Sequence, residues 1–310
     1  MKHKKIWTIA GIIVLAAAVI IFMVCWNRAK VPHHTSKLPL MSTAEATEVT
    51  RDSPKETSKA EFTYSEAKKT LTLSSTNHLA STAGVFSYPE YLFTDPNALS
   101  QDPALFFMWN NNIGGIDDDM KNALYFAYSS AVRSGKIVRF NDAGKYQKGH
   151  WNKSYLFYTV NNKLTNYDYS DGTAHYNVTY LYTPDGKLKK VTYSNSSGFS
   201  MDITILYNGQ TSSGFQIHDN ASNKTTTEKW KCRFNKKNQV ISLKTDARTY
   251  AFQYEKPGGY LTRINLDNRY QINYTYGKGH SLSQLESVVN IDKKRSSTLT
   301  YKFQYNGQKL

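Results

Sequence analysis

The chain has 310 residues with 39 basic and 24 acidic side chains, a net charge of +15 and a mean hydropathy of −0.56. It holds two cysteines, Cys25 and Cys232, too far apart in kind and place to suggest a disulfide-stapled mini-domain. About 250 residues outside the first segment suffice for a core without disulfides, and no composition bias marks a fibrous or repetitive low-complexity chain.

Lys2, Lys4 and Lys5 precede an apolar run from Ile6 to Trp26 that contains no charged residue. At roughly 1.5 Å per residue the run reaches about 30 Å, enough to cross a bilayer core as a helix. The expectation is a single-pass transmembrane anchor at 6–26, with residues 1–5 as a cytoplasmic tail and the rest extracytoplasmic at a cell membrane. A cleaved signal peptide fits less well. Ala16-Ala17-Ala18 sits in mid-run and Val19-Ile20-Ile21-Phe22 follows, so a cut there leaves an apolar end. Cys25 follows Phe22-Met23-Val24, where a lipid-modified cysteine would follow a small residue.

Residues 27–60 are rich in Ser, Thr, Lys, Glu and Pro, which predicts a disordered stalk. His33-His34 lies there without neighbouring ligands, so no metal site is expected. Residues 61–135 form a mixed region with one helix expected near 117–134. Asp117-Asp118-Asp119 suits its positive end, and Met120, Leu124, Ala127, Tyr128, Ala131 and Val132 recur at three- and four-residue spacing. Gly135 supplies the stop. The three aspartates read as capping residues and not as metal ligands.

From 136 to 310 the pattern is antiparallel β. Seventeen of the 23 tyrosines lie beyond residue 150, many alternating with polar residues. Tyr176-Val178-Tyr180-Tyr182, Met201-Ile203-Ile205-Tyr207, Trp230-Cys232-Phe234, Tyr250-Phe252-Tyr254, Tyr270-Ile272-Tyr274-Tyr276 and Leu299-Tyr301-Phe303-Tyr305 each define one dry face. Thr183-Pro184-Asp185-Gly186 fits a type I turn and Lys256-Pro257-Gly258-Gly259 a type II turn. Asn208-Gly209 and Asn306-Gly307 read as two-residue hairpin turns. The fold class is mainly β, a meander of aromatic-rich hairpins closing as a sandwich or half-open barrel, with one short amphipathic helix.

Tyr180-x-Tyr182-x-x-Asp185-Gly186-x-Leu188 resembles the Tyr-Asp (YD/RHS-type) hairpin repeats of bacterial surface and toxin-shell proteins. Tyr207-Asn208-Gly209 and Tyr305-Asn306-Gly307 resemble it more loosely, within residues 154–310. The turns after Phe234 and Tyr276 depart from it. The resemblance implies hairpin geometry, an aromatic, a turn and a following Leu, and no activity.

The sequence contains no nucleophile elbow, no zincin helix, no phosphate-cradling glycine loop and no paired-cysteine zinc spacing. No catalytic, cofactor-binding or metal-ligating residue is therefore assigned. Cys232, between Trp230 and Phe234 on a dry face, reads as a small core hydrophobe. His78, His150, His175, His218 and His280 are scattered singly. Once the six cations preceding Glu45 are set aside, 33 basic residues face 24 acidic ones. Outside a cell such an excess suits an anionic wall polymer or lipid, and nucleic acid is not expected. The reading is a non-catalytic membrane-anchored protein that binds an anionic envelope component or an envelope protein. The alternatives are a wall-active glycan hydrolase with dispersed carboxylates, or an acyl-chain carrier or sensor with an aromatic-lined cavity.

Overall fold

The computed structural model describes residues 39–50, 56–77, 102–110, 118–146, 149–266, 269–277, 280–290 and 296–309. They form one 18-stranded sheet and three helices. The expected anchor at 6–26, Cys25, His33-His34, His78 and Asp117 lie outside the described residues. No helix among the described residues is long and apolar enough to cross a membrane.

Strand β1 (Pro39–Thr50) pairs with β2 (Glu56–Ser65), and β2 with β3 (Thr70–Asn77), both antiparallel. β3 then pairs in parallel with β4 (Arg139–Tyr146), the helices forming the crossover between them. An antiparallel meander follows: β5 (Gly149–Val160), β6 (Lys163–Ser170), β7 (His175–Tyr182), β8 (Leu188–Asn195), β9 (Ser200–Asn208) and β10 (Thr211–Asp219). β10 pairs with β11 (Lys224–Lys229). β12 (Lys231–Phe234) continues β11 past Trp230 and pairs with β13 (Val240–Lys244). The meander resumes through β14 (Thr249–Tyr254), β15 (Leu261–Leu266), β16 (Tyr270–Tyr276), β17 (Leu282–Asn290) and β18 (Ser296–Lys309). β18 pairs with β1, so the sheet curls back on itself. The result is a near-closed barrel, neither a sandwich nor half-open. Its seam is at Trp230, where one continuous strand leaves the β10 ladder and joins the β13 ladder.

So wide a ring cannot be filled by its own wall side chains, since barrels of 16–18 strands leave a channel. Here helices fill the lumen: α1 (Pro103–Asn110), α2 (Asp118–Tyr128) and α3 (Ser130–Arg133). Ala104, Leu105 and Phe106 of α1, and Ala123 to Ala127 of α2, are buried. A helix apolar on nearly every side, as α1 is, must be enclosed, and the barrel encloses it. Phe126 sits edge-on to Phe140, Tyr155, Phe157 and Tyr167, with ring centroids 4.8–6.4 Å away. Phe106 meets Tyr250 and Phe252 at 5.0 and 4.7 Å. The inward faces are those that the alternation marked, and Cys232 faces the core half-buried.

Several expectations are corrected. Residues 39–50 and 56–60 are strands, although the stretch was expected to be a stalk. Ala44, Ala46 and Ala60 are buried there, small enough to escape a search for large apolar residues. The helix near 117–134 is broken at Ser129, whose extended backbone (ψ 119°) lets its side chain accept from Val132 N and start α3 afresh. Gly135 N donates to Val132 O at 2.9 Å and ends it. The turn after β9 is Gly209-Gln210, one residue later than expected, because Asn208 still pairs with Thr211. Asn306-Gly307 is not a turn. It lies within β18, which runs on to Lys309 opposite Pro39 through a register shift.

Candidate functional site

All hairpin turns between an aromatic and the next Leu or Val emerge at one end of the barrel, because the strands are antiparallel and the single parallel pair starts at that end. This rim carries the turns at 66–69, 161–162, 183–187, 209–210, 235–239, 255–260 and 277–281. Gly186 (φ +86°) and Gly258 (φ +84°) adopt the left-handed backbone that their turns require. Gly186 N donates to Thr183 O and Gly259 N to Lys256 O, as the sequence predicts.

The rim tyrosines tie each hairpin to the one before. Tyr182 donates to Leu164 O, Tyr207 to Leu188 O, Tyr254 to Val240 O, Tyr276 to Leu261 O and Tyr305 to Leu282 O, at 2.6–2.9 Å. In each case the acceptor is the first or second residue of the preceding strand. The phenol satisfies a carbonyl at the strand start while its ring covers apolar neighbours, which explains why these aromatics are Tyr and not Phe. Burial pushes the Tyr182 phenol up to about 12. Residues before the Leu complete the staircase: Lys163 Nζ lies 5.3 Å from the Tyr182 ring centre, and Lys187 Nζ 5.1 Å from that of Tyr207. Tyr260 stacks on His280 at 4.3 Å.

Charge is distributed unevenly between the two ends. Among the described residues the rim bears Lys68, Lys69, Arg133, Lys136, Lys163, Lys187, Lys236, Lys237 and Lys256 against the exposed carboxylates Glu66, Asp185 and Glu255. Among the described residues the opposite end sets Lys145, Lys224, Lys244, Arg248 and Arg269 against Glu56, Asp171, Asp219 and Asp246. The sequence shows the excess but not which end it falls on, because the rim cations come from six separate segments of the chain.

Just inside the rim, at the seam, lies a cavity of about 170 Å³ lined by Asp102, Ala127, Tyr128, Arg133, Tyr182, Lys187, Tyr207 and Ser212 among others. Asp102 was not singled out from the sequence. The Asp102-Pro103 pair is a helix-start signal that could have found it. Its Oδ1 accepts from Ala104 N at 3.0 Å and Ser212 Oγ at 2.8 Å, and its Oδ2 from Tyr128 Oη at 2.5 Å. One carboxylate thus caps α1 and pins it to α2 and to β10. Burial, then the adjacent Asp102 charge, drives the Tyr128 phenol well above its ordinary range. Burial, with the same carboxylate, pushes the Cys232 thiol up to about 12, so it is no nucleophile near neutral pH. Trp230 Nε1 donates to Ser212 O at 2.8 Å and closes the seam. Among the described residues, Asp102 is the only carboxylate lining the cavity. Among the described residues, no group of His, Cys, Asp and Glu is placed to hold a metal ion.

No protein-family model matches the chain, and no curated protein matches it. Solved structures are similar at low levels. The TcdB2–TccC3–Cdc42 crystal structure is 12% identical with a TM-score of 0.25, over 48% of this chain and 10% of that one. The Photorhabdus luminescens Tc holotoxin pore gives 12% and 0.24 over 47% and 9%. A porin-like protein from Bacteroides uniformis gives 12% and 0.26 over 50% of this chain and 90% of that one. The chain spans about a tenth of the toxin chains that it matches. At these TM-scores the likenesses carry no argument about shape or activity.

Proposed function

We propose that the chain is a non-catalytic, membrane-anchored extracytoplasmic protein whose barrel binds an anionic component of the cell envelope. The observation that carries this reading is the uneven charge among the described residues: nine cations against three exposed carboxylates on the rim, and five cations against four carboxylates at the opposite end. Like-signed charge gathered on one face raises the local concentration of a polyanion and steers its approach. The uninterrupted apolar run at 6–26 supplies the anchor.

The alternatives draw less support. A hydrolase with paired acid and base carboxylates needs two of them facing one cleft, at separations of about 5–9.5 Å for glycosidases. Among the described residues Asp102 stands without a second carboxylate on its cavity, and its oxygens are committed to capping α1 and accepting from Ser212 and Tyr128. An acyl-chain carrier needs open aromatic faces. Tyr155, Phe157, Tyr167, Tyr250 and Phe252 instead pack against Phe126 and Phe106.

The full chain in neutral detergent, titrated with purified anionic wall polymer and with anionic lipid vesicles from about 50 to about 500 mM salt, tests the reading. Binding to one of them that weakens steeply with salt is expected. Absence of binding to either, or binding indifferent to salt, overturns it.

A further inference from the structure

We infer that the lysine rim is a docking face for the anionic headgroups of the bilayer that the chain's own residues 6–26 would enter. The inference rests on the anchor reading above and specifies which anionic component the rim meets. Its geometric basis is the place where the barrel starts. β1 begins at Pro39 on the rim, opposite Lys309 of β18, and runs away from it. Only residues 27–38 separate the apolar run from this point. Twelve residues span at most about 40 Å when extended, and about 19 Å as a random coil. With residues 6–26 in the bilayer, a segment of that length would keep the rim nearer the membrane surface than the opposite end.

Two properties of the rim suit that neighbour. Its cations extend along the turns on both sides of the tether's entry, at Lys68 and Lys69 and at Lys237 and Lys256, so headgroups could be met over a broad front. Among the described residues the outer wall exposes three of its five large apolar side chains at this end, with Val49 and Val289 exposed at the other. Val160 closes β5 at 58% exposure, Leu181 is the penultimate residue of β7 at 58%, and Tyr158 lies beside them at 41%. A wall polymer would use the charge alone. Cations flanked by exposed aliphatic and Tyr side chains match an interface that is charged at its headgroups and apolar just beneath. The partner of stated chemistry is thus a phosphate-bearing lipid leaflet.

The test uses the full chain reconstituted into lipid nanodiscs, one set of phosphatidylcholine alone and one containing about a third phosphatidylglycerol. An amine-reactive label read by mass spectrometry reports each lysine's accessibility in the native chain. Co-elution with the discs after an alkaline carbonate wash reports the anchor separately. The proposal expects Lys68, Lys237 and Lys256 to react several-fold more slowly in the anionic discs, with Lys224 at the opposite end unchanged. High salt should reverse the protection, and Val160→Asp with Leu181→Asp should weaken it. If the chain stays in the discs and both ends label equally in both sets, docking is overturned while the anchor reading stands. If the chain washes off the discs, the anchor reading fails and docking fails with it. If the rim is protected only by added wall polymer in neutral discs, lipid docking is overturned in favour of a polymer.

Discussion

Two walls of the same barrel bury their inner faces by opposite means. On β5 to β8 the lining is Tyr155, Phe157, Tyr167, Tyr169, Tyr180 and Tyr193, large rings that reach inward to α2. Tyr155 and Tyr169 lie 4.9 Å apart and Tyr176 and Tyr193 also 4.9 Å, and the Tyr180 hydroxyl donates to Ala123 O of the helix at 2.7 Å. On β1 to β3 the lining is Ala44, Ala46, Ser58, Ala60 and Ser75 away from the rim, with Met41, Phe62, Leu71 and Leu73 nearer to it. Ala44 pairs with Ala60 across one ladder and with Phe303 across the other. A strand needs backbone partners and a filled space on its dry side, not large side chains of its own. The aromatic wall supplies volume, and the small-residue wall leaves room for its neighbours' volume.

Substitutions can break this contrast, beginning with the largest effect. Phe126→Ala removes the ring at the focus of the aromatic wall and should cost about 3–5 kcal/mol, measured by urea denaturation at constant m. The small wall should fail in the opposite sense. Ala46→Leu, with Ala46 fully buried, overpacks it and should cost about 1–3 kcal/mol, while Ala46→Ser should cost less. Asp102→Ala removes the cap of α1 and the acceptor for Ser212 and Tyr128, and about 1–3 kcal/mol should be lost in the same assay. Tyr276→Phe keeps the ring but leaves Leu261 O without its phenol, at a cost of about 1 kcal/mol.

Alkali sharpens the same comparison without mutation. Tyr182 ionises near 12 in the fold, against 10.0 for the free phenol, because burial penalises the charged form. Burial raises Tyr128 and Tyr180 as well. For a group with its pKa raised by folding, the stabilisation is complete below the unfolded value and is lost as pH rises through the folded one. Far-UV circular dichroism should therefore hold to about pH 10 and decline between about 10 and 12. The smallest effect is expected on the outer face. Burial alone would raise the carboxyl of Asp202, but hydrogen bonds from Lys190 and Thr192 outweigh it and hold the carboxyl below its usual range. That contribution is present above the unfolded pKa and is lost on acidification through the lower folded value. Asp202→Asn should accordingly shift neutral stability by under about 1 kcal/mol and flatten its dependence below pH 4.

The aromatic strands were legible because large residues at period two leave a visible stripe. The turns at 183–186 and 256–259 were legible because Pro and Gly there allow few other conformations. β1 and the start of β2 were not legible. Their buried residues are Ala and Ser interleaved with Thr and Glu, a pattern shared with unstructured chain until a partner strand is supplied. Asn306-Gly307 misled for the converse reason: a turn dipeptide becomes strand when β1 offers a ladder on one side. Ser129 looked like helix interior because three- and four-residue spacing continues across it, and only the cap on Val132 N reveals the break. The candidate cavity was invisible because Asp102, Tyr128, Tyr182, Tyr207 and Ser212 are separated by up to 110 residues.

By itself the sequence determined the mainly β class, the inward face of nearly every strand beyond residue 150, the placement of most turns and the overall basic excess. These are local properties, set by side-chain alternation and by the backbone preferences of Gly, Pro and Asn. Closure of the sheet through β1 and β18, the seam at Trp230, the helices in the lumen and the gathering of lysines at one rim were decided only by the tertiary structure. Each depends on which distant segments become neighbours, and that is settled by filling one shared interior rather than by any single stretch of chain.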